Sequence, residues 1–454
     1  MNWRQKKVVV IGAARSGLAA AKYLAERGAE VWLNDLKERS ELPAEALTEL
    51  EERGVRLVLG QHVRLATLLP QLVIVSPGVP FEAPPLVEAR EKQIPVWSEI
   101  ELAARVTRAP IVAVTGTNGK TTTTCLLEKI FRDADYHTFT GGNIGTPFIS
   151  KAEELTAQDL AVLEVSSFQL ATTEEFHPHV AIILNITPDH LDRHYNLEGY
   201  IAAKAKIFAK QTAEDWLILN WDDEETVAMA ARARTNVLFF SRIHILDKGF
   251  YVDDGWIIAK VEDQAVPIVR VEDLQIKGGH NVENALAATA AAWVMGVAAS
   301  NIADSLRTFQ PVAHRLEPVL TYRGVRYIND SKGTNPDAAI KALDAFSEGI
   351  VLIAGGKSKG SDFLPFAWKI KEKVKALVLV GEAAPEIDAV VRKVGYQNVH
   401  YAESFVDAVH RASELAEKGD IVLLSPACAS FDMFTDYEQR GDVFKELVRQ
   451  LAKC

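Results

Sequence analysis

The chain has 454 residues, of which 48% are hydrophobic, and a formal net charge of −11. This length favours two to four domains, and the acidic balance excludes a broad basic surface of the kind that binds nucleic acid. The three cysteines, Cys125, Cys428 and Cys454, follow no metal-ligand spacing, so we expect a cytoplasmic protein kept in a reducing compartment.

No stretch of the sequence predicts a membrane span. The apolar run in MNWRQKKVVVIG is short and suits a first β-strand. The stretch NALAATAAAWVMGVAA is mostly alanine and favours a buried helix over a membrane span. We therefore expect no membrane partner, and the net charge of −11 disfavours a nucleic-acid partner. We also expect a monomer.

Short β-branched runs alternate with helical patterns along almost the whole chain. They include KVVVIG, PIVAVTG, LAVLEV, VAIILN, GIVLIAGG and DIVLLSPA. Apolar runs of this length, bounded by Gly, Pro or Ser, suit strands that are buried on both faces, which is typical of parallel sheets. We predict an α/β fold in three blocks with boundaries near residues 98 and 311. In the second block, GFYVDDGWIIAKVEDQAVPIVRVEDL predicts antiparallel strands.

The first block carries a glycine loop. IGAARSG follows a strand and opens a helix, and Asp35 ends the next strand, VWLND. A dinucleotide fingerprint would have glycines at positions 12, 14 and 17, but Ala14 replaces the one that admits a pyrophosphate. NAD is therefore disfavoured, although a helix N-terminus still offers amides to an anion. A second strand end, VSPGVP with Gly78, would lie at the same sheet edge. A nucleotide-diphosphate site and a purely structural turn both remain open at this point.

The second block opens with the loop AVTGTNGKTTTT. The pattern G-x-x-x-x-G-K-[ST] would place its first glycine at Val114, but the nearest glycine is Gly116, so the loop is two residues short. Its position between a strand and a helix is still that of a phosphate loop. Its successive amides can form an anion nest. Lys120 can neutralise the β- and γ-phosphates, and Thr121 can hold Mg²⁺ through its hydroxyl.

Two later strands end in groups that suit a metal ion. LAVLEV contains Glu164 at its end, and His190 lies in the loop NITPDHLDRH after the next strand. A strand-end glutamate alone is weak evidence, but next to a phosphate loop these two residues favour a Mg²⁺ site. Asp192, Arg193 and His194 in the same loop are ambiguous and are compatible with a role in loop structure alone.

The segment GYIAAKAKIFAK carries three lysines on a predicted helix. Lys204 and Lys206 are two residues apart and therefore point to different faces. Composition alone indicates that these residues and Lys210 are solvated surface lysines.

Nine motifs occur in order along the chain: GTNGKTTT, GGNIG, LEVSSFQL, NITPDHLDRH, YIAAKAKI, GHNVENALAA, AHRLE, NDSKGTNPDA and LLSPACASFDMF. Together they resemble the Mur ligases, the ATP-dependent amino-acid ligases of peptidoglycan precursor synthesis, and the resemblance covers essentially the whole chain. The last two motifs and the Rossmann-like first block are similar to the members that add D-glutamate to UDP-N-acetylmuramoyl-L-alanine.

The resemblance implies three domains. A Rossmann-like N-terminal domain, 1–98, would hold the UDP-sugar, which explains why the NAD fingerprint is not required. A central P-loop-type ATPase domain, 99–311, would hold ATP. A C-terminal Rossmann-like α/β domain, 312–454, would bring D-glutamate. The expected chemistry is transfer of the γ-phosphate to the substrate carboxylate, followed by attack of the amine on the acyl phosphate.

The resemblance also assigns roles to residues. The UDP-sugar is expected at Ala14, Arg15, Ser16, Asp35 and Gly78. The nucleotide is expected at Gly116, Thr117, Asn118, Gly119, Lys120, Thr121, Thr122, Asn281, Asn284, Arg315 and Asp330. D-glutamate is expected at Thr334, Lys359, Ser430 and Tyr437.

The same resemblance implies a site for two Mg²⁺ ions and names catalytic groups. The metal-holding residues would be Thr121, Glu164, His190 and a carbamylated Lys204, so the solvated-lysine interpretation of Lys204 becomes a minority one. The catalytic groups would be Lys120, Asn143, His190, Lys204 and Lys332, with Asn143 also touching the substrate acyl group.

Two other hypotheses compete with this one. A sibling ligase such as a folylpolyglutamate synthase is disfavoured by SPACASFDMF and by the Rossmann-like first block. An NAD-binding oxidoreductase or sensor would use IGAARSG, but it leaves Lys120, Glu164 and His190 without a role.

Overall fold

The computed structural model describes residues 1–310, 312–347 and 349–452, without the side chain of Asp192. Contacts divide the chain into two compact units. The first contains Met1–Ile186, Arg193–Arg270 and Ala285–Leu306, and the second contains Thr187–Asp192, Val271–Asn284 and Arg307–Cys454. The expected boundary residue Pro311 and Cys454 lie outside the described residues, and the boundaries at 98 and 311 stay a prediction.

The first sheet is parallel and has the strand order β3-β2-β1-β4-β5. Its strands are β1 (Lys7–Ile11), β2 (Glu30–Asp35), β3 (Arg56–Leu59), β4 (Leu72–Val75) and β5 (Val96–Ser98), and its helices are α1 (Arg15–Glu26), α2 (Ala44–Glu52), α3 (Leu65–Leu68), α4 (Pro84–Glu91) and α5 (Glu99–Ala104). The chain runs from β1 through β2 to β3 on one side of β1 and then crosses to β4 and β5 on the other side. The crevice beside β1 is therefore the switch point at which such sheets bind ligands.

The central sheet has nine strands in the order β14-β13-β12-β11-β10-β9-β6-β8-β7. They are β6 (Ile111–Thr115), β7 (Thr138–Gly142), β8 (Leu160–Glu164), β9 (Val180–Ile183), β10 (Trp216–Asn220), β11 (Asn236–Ser241), β12 (Gly249–Asp253), β13 (Trp256–Lys260) and β14 (Val266–Arg270). The pairs from β7 to β12 are parallel, and β12 to β14 are antiparallel as the alternation predicts.

The helices that follow these strands are α6 (Lys120–Asp133), α7 (Ser167–Ala171), α8 (Leu191–His194), α9 (Leu197–Ala205), α10 (Glu224–Met229), α11 (Gly279–Val294) and α12 (Ala299–Thr308). The sequence predicted only a loop between Asp189 and His194, and helix α8 shows that this prediction was wrong. The alanine-rich stretch is the helix α11, and its residues Ala285–Ala288 are fully buried. Among the described residues, no helix combines the length and hydropathy that crossing a bilayer requires.

The third sheet has the order β15-β16-β20-β17-β18-β19, parallel except for the β15–β16 pair. Its strands are β15 (Glu317–Tyr322), β16 (Val325–Asn329), β17 (Ile350–Gly355), β18 (Val374–Val380), β19 (Val399–Tyr401) and β20 (Ile421–Leu424), and its helices are α13 (Pro336–Asp344), α14 (Leu364–Lys373), α15 (Ala384–Lys393), α16 (Phe405–Leu415) and α17 (Tyr437–Leu451). Both faces are covered, since separate apolar clusters form around Leu352 and around Val351.

The C-terminal stretch DVFKELVRQLAKC predicts a helix that begins at Asp442, but helix α17 begins earlier. It starts at Tyr437 because the side chain of Asp436 accepts a hydrogen bond from the amide of Gln439 and so caps the helix. The extra turn brings Tyr437 and Arg440 into the helix, next to the loops that follow β16 and β20.

Candidate active site

The glycines of the first loop allow helix α1 to pack closely against the end of β1. A Cβ on Gly17 would lie 1.8 Å from the carbonyl oxygen of Gly12, so helix α1 can pack this tightly only with glycine there. Ser76 after β4 donates to the same carbonyl at 2.9 Å. The structure thus brings together the ends of β1 and β4, the two strand ends that the sequence singled out.

The residues expected to hold the UDP-sugar lie at or just after the ends of β1, β2 and β4. Ala14 precedes α1 without a side-chain cap, and Ala14, Arg15 and Gly78 are exposed. The first amides of α1 are therefore available to an anion. Asp35 accepts a hydrogen bond from the amide of Ala13 at 2.7 Å, so this carboxylate holds the turn after β1.

The phosphate loop follows β6 and has the expected strand–loop–helix form. Gly119 has φ +87, a left-handed conformation that glycine adopts without strain, and α6 begins at the next residue. The ammonium of Lys120 donates to the carbonyls of Gly116 and Thr117 at 2.9 and 2.8 Å. Lys120 therefore lies over the loop that it is expected to serve.

Asn185, which was not identified from the sequence, stabilises this loop through hydrogen bonds. The side chain of Asn185, which follows β9, accepts from the Asn118 amide at 2.9 Å and donates to the Asn118 carbonyl at 3.1 Å. The backbone carbonyl of Asn185 also accepts from the Thr117 amide. Its position at the end of an apolar strand beside β6 was the available signal.

Glu164 at the end of β8 joins two of the predicted residues. Its carboxylate accepts hydrogen bonds from the Thr121 hydroxyl at 2.6 Å and from the Asn143 side-chain amide at 2.8 Å, and the Glu164 side chain is buried. A carboxylate and a hydroxyl are hard oxygen ligands of the type that Mg²⁺ prefers. Thr121 and Glu164 thus fit the expected ion. Among the described residues, no cluster of three His, Cys, Asp or Glu side chains forms a metal site by itself.

Lys204 on α9 is not a surface lysine, which corrects the prediction from composition. Only 1% of it is exposed, and its ammonium donates to the Gly116 carbonyl at 2.7 Å and to the Thr115 hydroxyl at 3.3 Å. Lys206 is also partly buried: it donates to the carbonyls of Ala171 and Thr173, and burial lowers its pKa. Lys210 is exposed and pairs with Glu175.

Tyr200, one helical turn before Lys204, connects this lysine to the phosphate loop. The Lys204 ammonium lies 4.7 Å from the centre of the Tyr200 ring, and the Tyr200 hydroxyl is 3.1 Å from the Thr117 hydroxyl. The unmodified lysine is therefore held at the loop by the Gly116 carbonyl, the Thr115 hydroxyl and the Tyr200 ring.

Within the second unit, three loops follow the neighbouring strands β16, β20 and β17. They carry Asp330, Lys332 and Thr334, then Ser430, then Lys359. Because the carboxyl ends of parallel strands meet at one edge, these loops form one surface. Lys332 donates to the Tyr437 hydroxyl at 3.2 Å, so two predicted residues from different elements are in contact.

Asp330 is fully buried and strongly held. Arg315 lies 3.5 Å from its carboxylate, and the Ser425 hydroxyl donates to it at 2.8 Å. Burial raises the pKa of Asp330, and the Arg315 charge opposes that rise. This residue therefore connects the AHRLE segment to the loop after β16.

Lys359 has a partner that the sequence did not assign. Its ammonium lies 3.8 Å from the carboxylate of Asp189, and the side-chain amide of Asn335 donates to the same carboxylate at 3.2 Å. Asp189 also accepts from the amide of His190, a residue with φ +55. Lys357, two residues before Lys359, is exposed, and its backbone pairs with Ala429.

Asn281 and Asn284 lie one turn apart near the start of α11 and are buried. The Asn284 side chain donates to the Asn281 side-chain oxygen at 3.1 Å, and Asn281 donates to the Lys277 carbonyl. Their role at the nucleotide stays a prediction.

Three family models match consecutive parts of the chain. They are described as Mur ligase MurD-like N-terminal domain over residues 6–98, Mur ligase middle domain over 114–292, and Mur ligase glutamate ligase domain over 314–428. The three matches follow the three sheets in order.

Two curated relatives are similar over their whole length. The UDP-N-acetylmuramoylalanine–D-glutamate ligase of Pelotomaculum thermopropionicum is 51% identical over 100% of this chain and 99% of that protein. The ligase of the same name from Desulfitobacterium hafniense (strain DCB-2) is 47% identical over 99% of each chain.

Solved structures share the fold. The UDP-N-acetylmuramate-alanine ligase MurC of Thermotoga maritima has a TM-score of 0.62 at 20% identity over 99% of this chain and 100% of that one. MurF from Acinetobacter baumannii has a TM-score of 0.63 at 18% identity over 97% and 93%. With close curated relatives along its full length and all three domain models in order, the chain belongs to the Mur ligase family.

Proposed function

We propose that this protein is an ATP-dependent ligase that joins D-glutamate to the L-alanine carboxylate of UDP-N-acetylmuramoyl-L-alanine in peptidoglycan precursor synthesis. The observation that carries the proposal is the pair of curated relatives with this activity in their names, at 51% and 47% identity over essentially the whole chain. The phosphate loop, with Lys120 lying over it, supports the use of ATP. We propose domains at 1–98, 99–311 and 312–454 for the UDP-sugar, ATP and D-glutamate.

The first chemical step is transfer of a phosphoryl group between two anions. A substrate carboxylate oxygen attacks the γ-phosphorus, the bond to the β-phosphate oxygen breaks, and an acyl phosphate and ADP result. Positioning and charge neutralisation supply most of the catalysis in such a transfer. Lys120 would exchange its two loop carbonyls for the β- and γ-phosphate oxygens, and Asn143 would orient the acyl group.

Mg²⁺ would be held by Thr121 and Glu164, with His190 and a carbamylated Lys204 at a second position. The hydroxyl and carboxylate at hydrogen-bond distance support the first part of this assignment. When bound, the ion neutralises phosphate charge. The role of this chain's residues is to fix that position: Asn143 holds the second oxygen of Glu164 and so orients the carboxylate.

Carbamylation of Lys204 would reverse the charge of a buried side chain. The unmodified ammonium donates to the Gly116 carbonyl, whereas a carbamate keeps one N–H donor and adds two anionic oxygens that only accept. The modification would therefore supply oxygen ligands of the type that Mg²⁺ prefers.

The second step is attack of the D-glutamate amine on the acyl carbon. The C–N bond forms, phosphate leaves with the bridging oxygen, and the amine loses a proton. The surface formed by the loops after β16, β20 and β17 would hold D-glutamate through Thr334, Ser430 and Lys359. Lys359 pairs with Asp189 in this structure, so it would exchange one carboxylate for another.

The function is tested by measuring phosphate release from ATP with UDP-N-acetylmuramoyl-L-alanine and a panel of amino acids. We expect sustained release only with D-glutamate, and a product heavier by one glutamyl residue in mass spectrometry. Release that ignores D-glutamate, or that is faster with L-glutamate, L-lysine or L-alanine, would refute the assignment. Light scattering of the same sample tests the expected monomer.

A further inference from the structure

A buried arginine on α17 connects two of the loops assigned to D-glutamate. Arg440 is 1% exposed and is one of the largest buried side chains. Its guanidinium donates five hydrogen bonds: Nε to Ser331 Oγ at 2.9 Å, Nη2 to Ser331 O at 2.8 Å, Nη1 and Nη2 to Cys428 O at 3.2 Å, and Nη1 to Ala429 O at 3.3 Å. All the acceptors are neutral, and three of them are backbone carbonyls.

These contacts are unusual for a buried cation. A guanidinium out of water ordinarily has a carboxylate partner, because burial of an uncompensated charge is unfavourable. Burial lowers the pKa of Arg440 to about 10, so the group is still charged near neutral pH. The planar guanidinium has five N–H donors, so it can bind Ser331 on one side and the carbonyls of Cys428 and Ala429 on another. A lysine ammonium, with three donors on one nitrogen, cannot reproduce this arrangement.

The two loops are those that follow the neighbouring strands β16 and β20. Ser331 immediately precedes Lys332, and Ala429 immediately precedes Ser430. The Ser331 hydroxyl also donates to the carbonyl of Tyr437 at 2.8 Å. One guanidinium therefore touches segments adjacent to three of the residues placed around D-glutamate or the transferring phosphate.

Asp330 and Lys332, which are expected to face the nucleotide, are held by other hydrogen bonds that do not involve Arg440. The Asp330 carboxylate is held by the Ser425 hydroxyl at 2.8 Å and by the Leu316 amide at 3.2 Å. The Lys332 amide donates to the carbonyl of His314. Loss of the Arg440 contacts would thus loosen the 428–430 segment and Ser331 while leaving Asp330 in place.

We infer that Arg440 is a positioning residue for D-glutamate, setting the distance between the Ser331 and Ser430 sides of its binding surface without touching the amino acid itself. The inference rests on the proposed function. It places the effect of Arg440 on the second half of the reaction, where the amine must reach the acyl carbon in a defined orientation.

The test compares Arg440→Lys and Ser331→Ala with the wild type, using Arg449→Lys as a matched control. Arg449 is an exposed arginine on the same helix. Steady-state kinetics give KM for D-glutamate, for ATP and for UDP-N-acetylmuramoyl-L-alanine. Hydroxylamine trapping without D-glutamate measures acyl-phosphate formation alone, and melting temperatures report on folding.

We expect Arg440→Lys to raise KM for D-glutamate by about tenfold or more, because small misplacements of positioning groups are costly. Ser331→Ala should raise it less, about threefold. KM for ATP and the trapping rate should stay within about threefold, and Arg449→Lys should resemble the wild type. If Arg440→Lys is unfolded, the KM of Ser331→Ala for D-glutamate is the measurement that tests the inference.

The inference is overturned if KM for D-glutamate is unchanged in the folded variants, or if trapping falls as much as D-glutamate-dependent turnover. A wild type that shows no dependence on D-glutamate would instead refute the proposed function. The two failures are therefore distinguishable within one set of assays.

Discussion

Replacing Glu164 by glutamine separates its structural role from its chemical one. The carboxylate accepts one hydrogen bond from Thr121 and one from Asn143. Glutamine has the same shape, can keep accepting from Asn143 through its oxygen, and can donate to the Thr121 hydroxyl through its nitrogen. The substitution removes only the contribution of the negative charge to these two hydrogen bonds, which lowers the free energy of unfolding by at most about 2 kcal/mol. The expected decrease in Tm is about 4–8 °C.

Activity should respond far more strongly than stability. Removal of one preorganised electrostatic group, such as an oxyanion-hole donor, costs about 10²–10³ in kcat. We expect Glu164→Gln to lose ligase activity to a similar extent while remaining folded. Phosphate release and differential scanning calorimetry measure the two effects. The matched control is Glu175→Gln, since Glu175 is an exposed carboxylate of the same unit paired with Lys210. A Glu164→Gln variant with activity within threefold of the wild type would refute the placement of Mg²⁺ at this carboxylate.

Lys204→Ala should lose most activity, bicarbonate should not restore it, and a small carboxylate should restore part of it; full activity of the variant would exclude the carbamate. Tyr200→Phe should weaken ATP binding by several-fold, since it removes the contact with the Thr117 hydroxyl, and an unchanged KM for ATP would contradict that link. Burial raises the pKa of Glu99 to about 7 from 4.5. The folded state therefore binds the proton more tightly, and the stabilising contribution, present at pH 4, is lost as pH rises from 4.5 through 7. Glu99→Gln should then melt higher than the wild type at pH 8 and close to it at pH 4, and a variant that melts lower at pH 8 would refute the argument.

Local patterns in the sequence were enough to predict the architecture. Fully apolar runs such as the one in β6 indicate strands buried on both faces, and the central strands are indeed parallel. The start of α17 was missed because its capping residue, Asp436, lies in a polar segment that reads as loop. Helix α8 was missed because four residues are too few to establish a 3.6-residue period.

The site was predictable where it depends on residues close in the chain, and less so elsewhere. Glu164 was identified because it ends a strand next to the phosphate loop. The burial of Lys204 could not be inferred from composition, because it results from packing of α9 against the end of β6 rather than from local sequence. Asn185 and Arg440 bind backbone groups of distant segments, and contacts of that kind leave no spacing pattern in the sequence.

The central claim is that the γ-phosphoryl group of ATP bound at the Lys120 loop is transferred to the substrate carboxylate before the D-glutamate amine attacks. It is tested most directly with UDP-N-acetylmuramoyl-L-alanine carrying ¹⁸O in its carboxylate, followed by mass spectrometry of the released phosphate. Attack by that carboxylate predicts one ¹⁸O atom in each phosphate formed with D-glutamate. Phosphate without ¹⁸O, alongside formation of the amide product, would contradict the account.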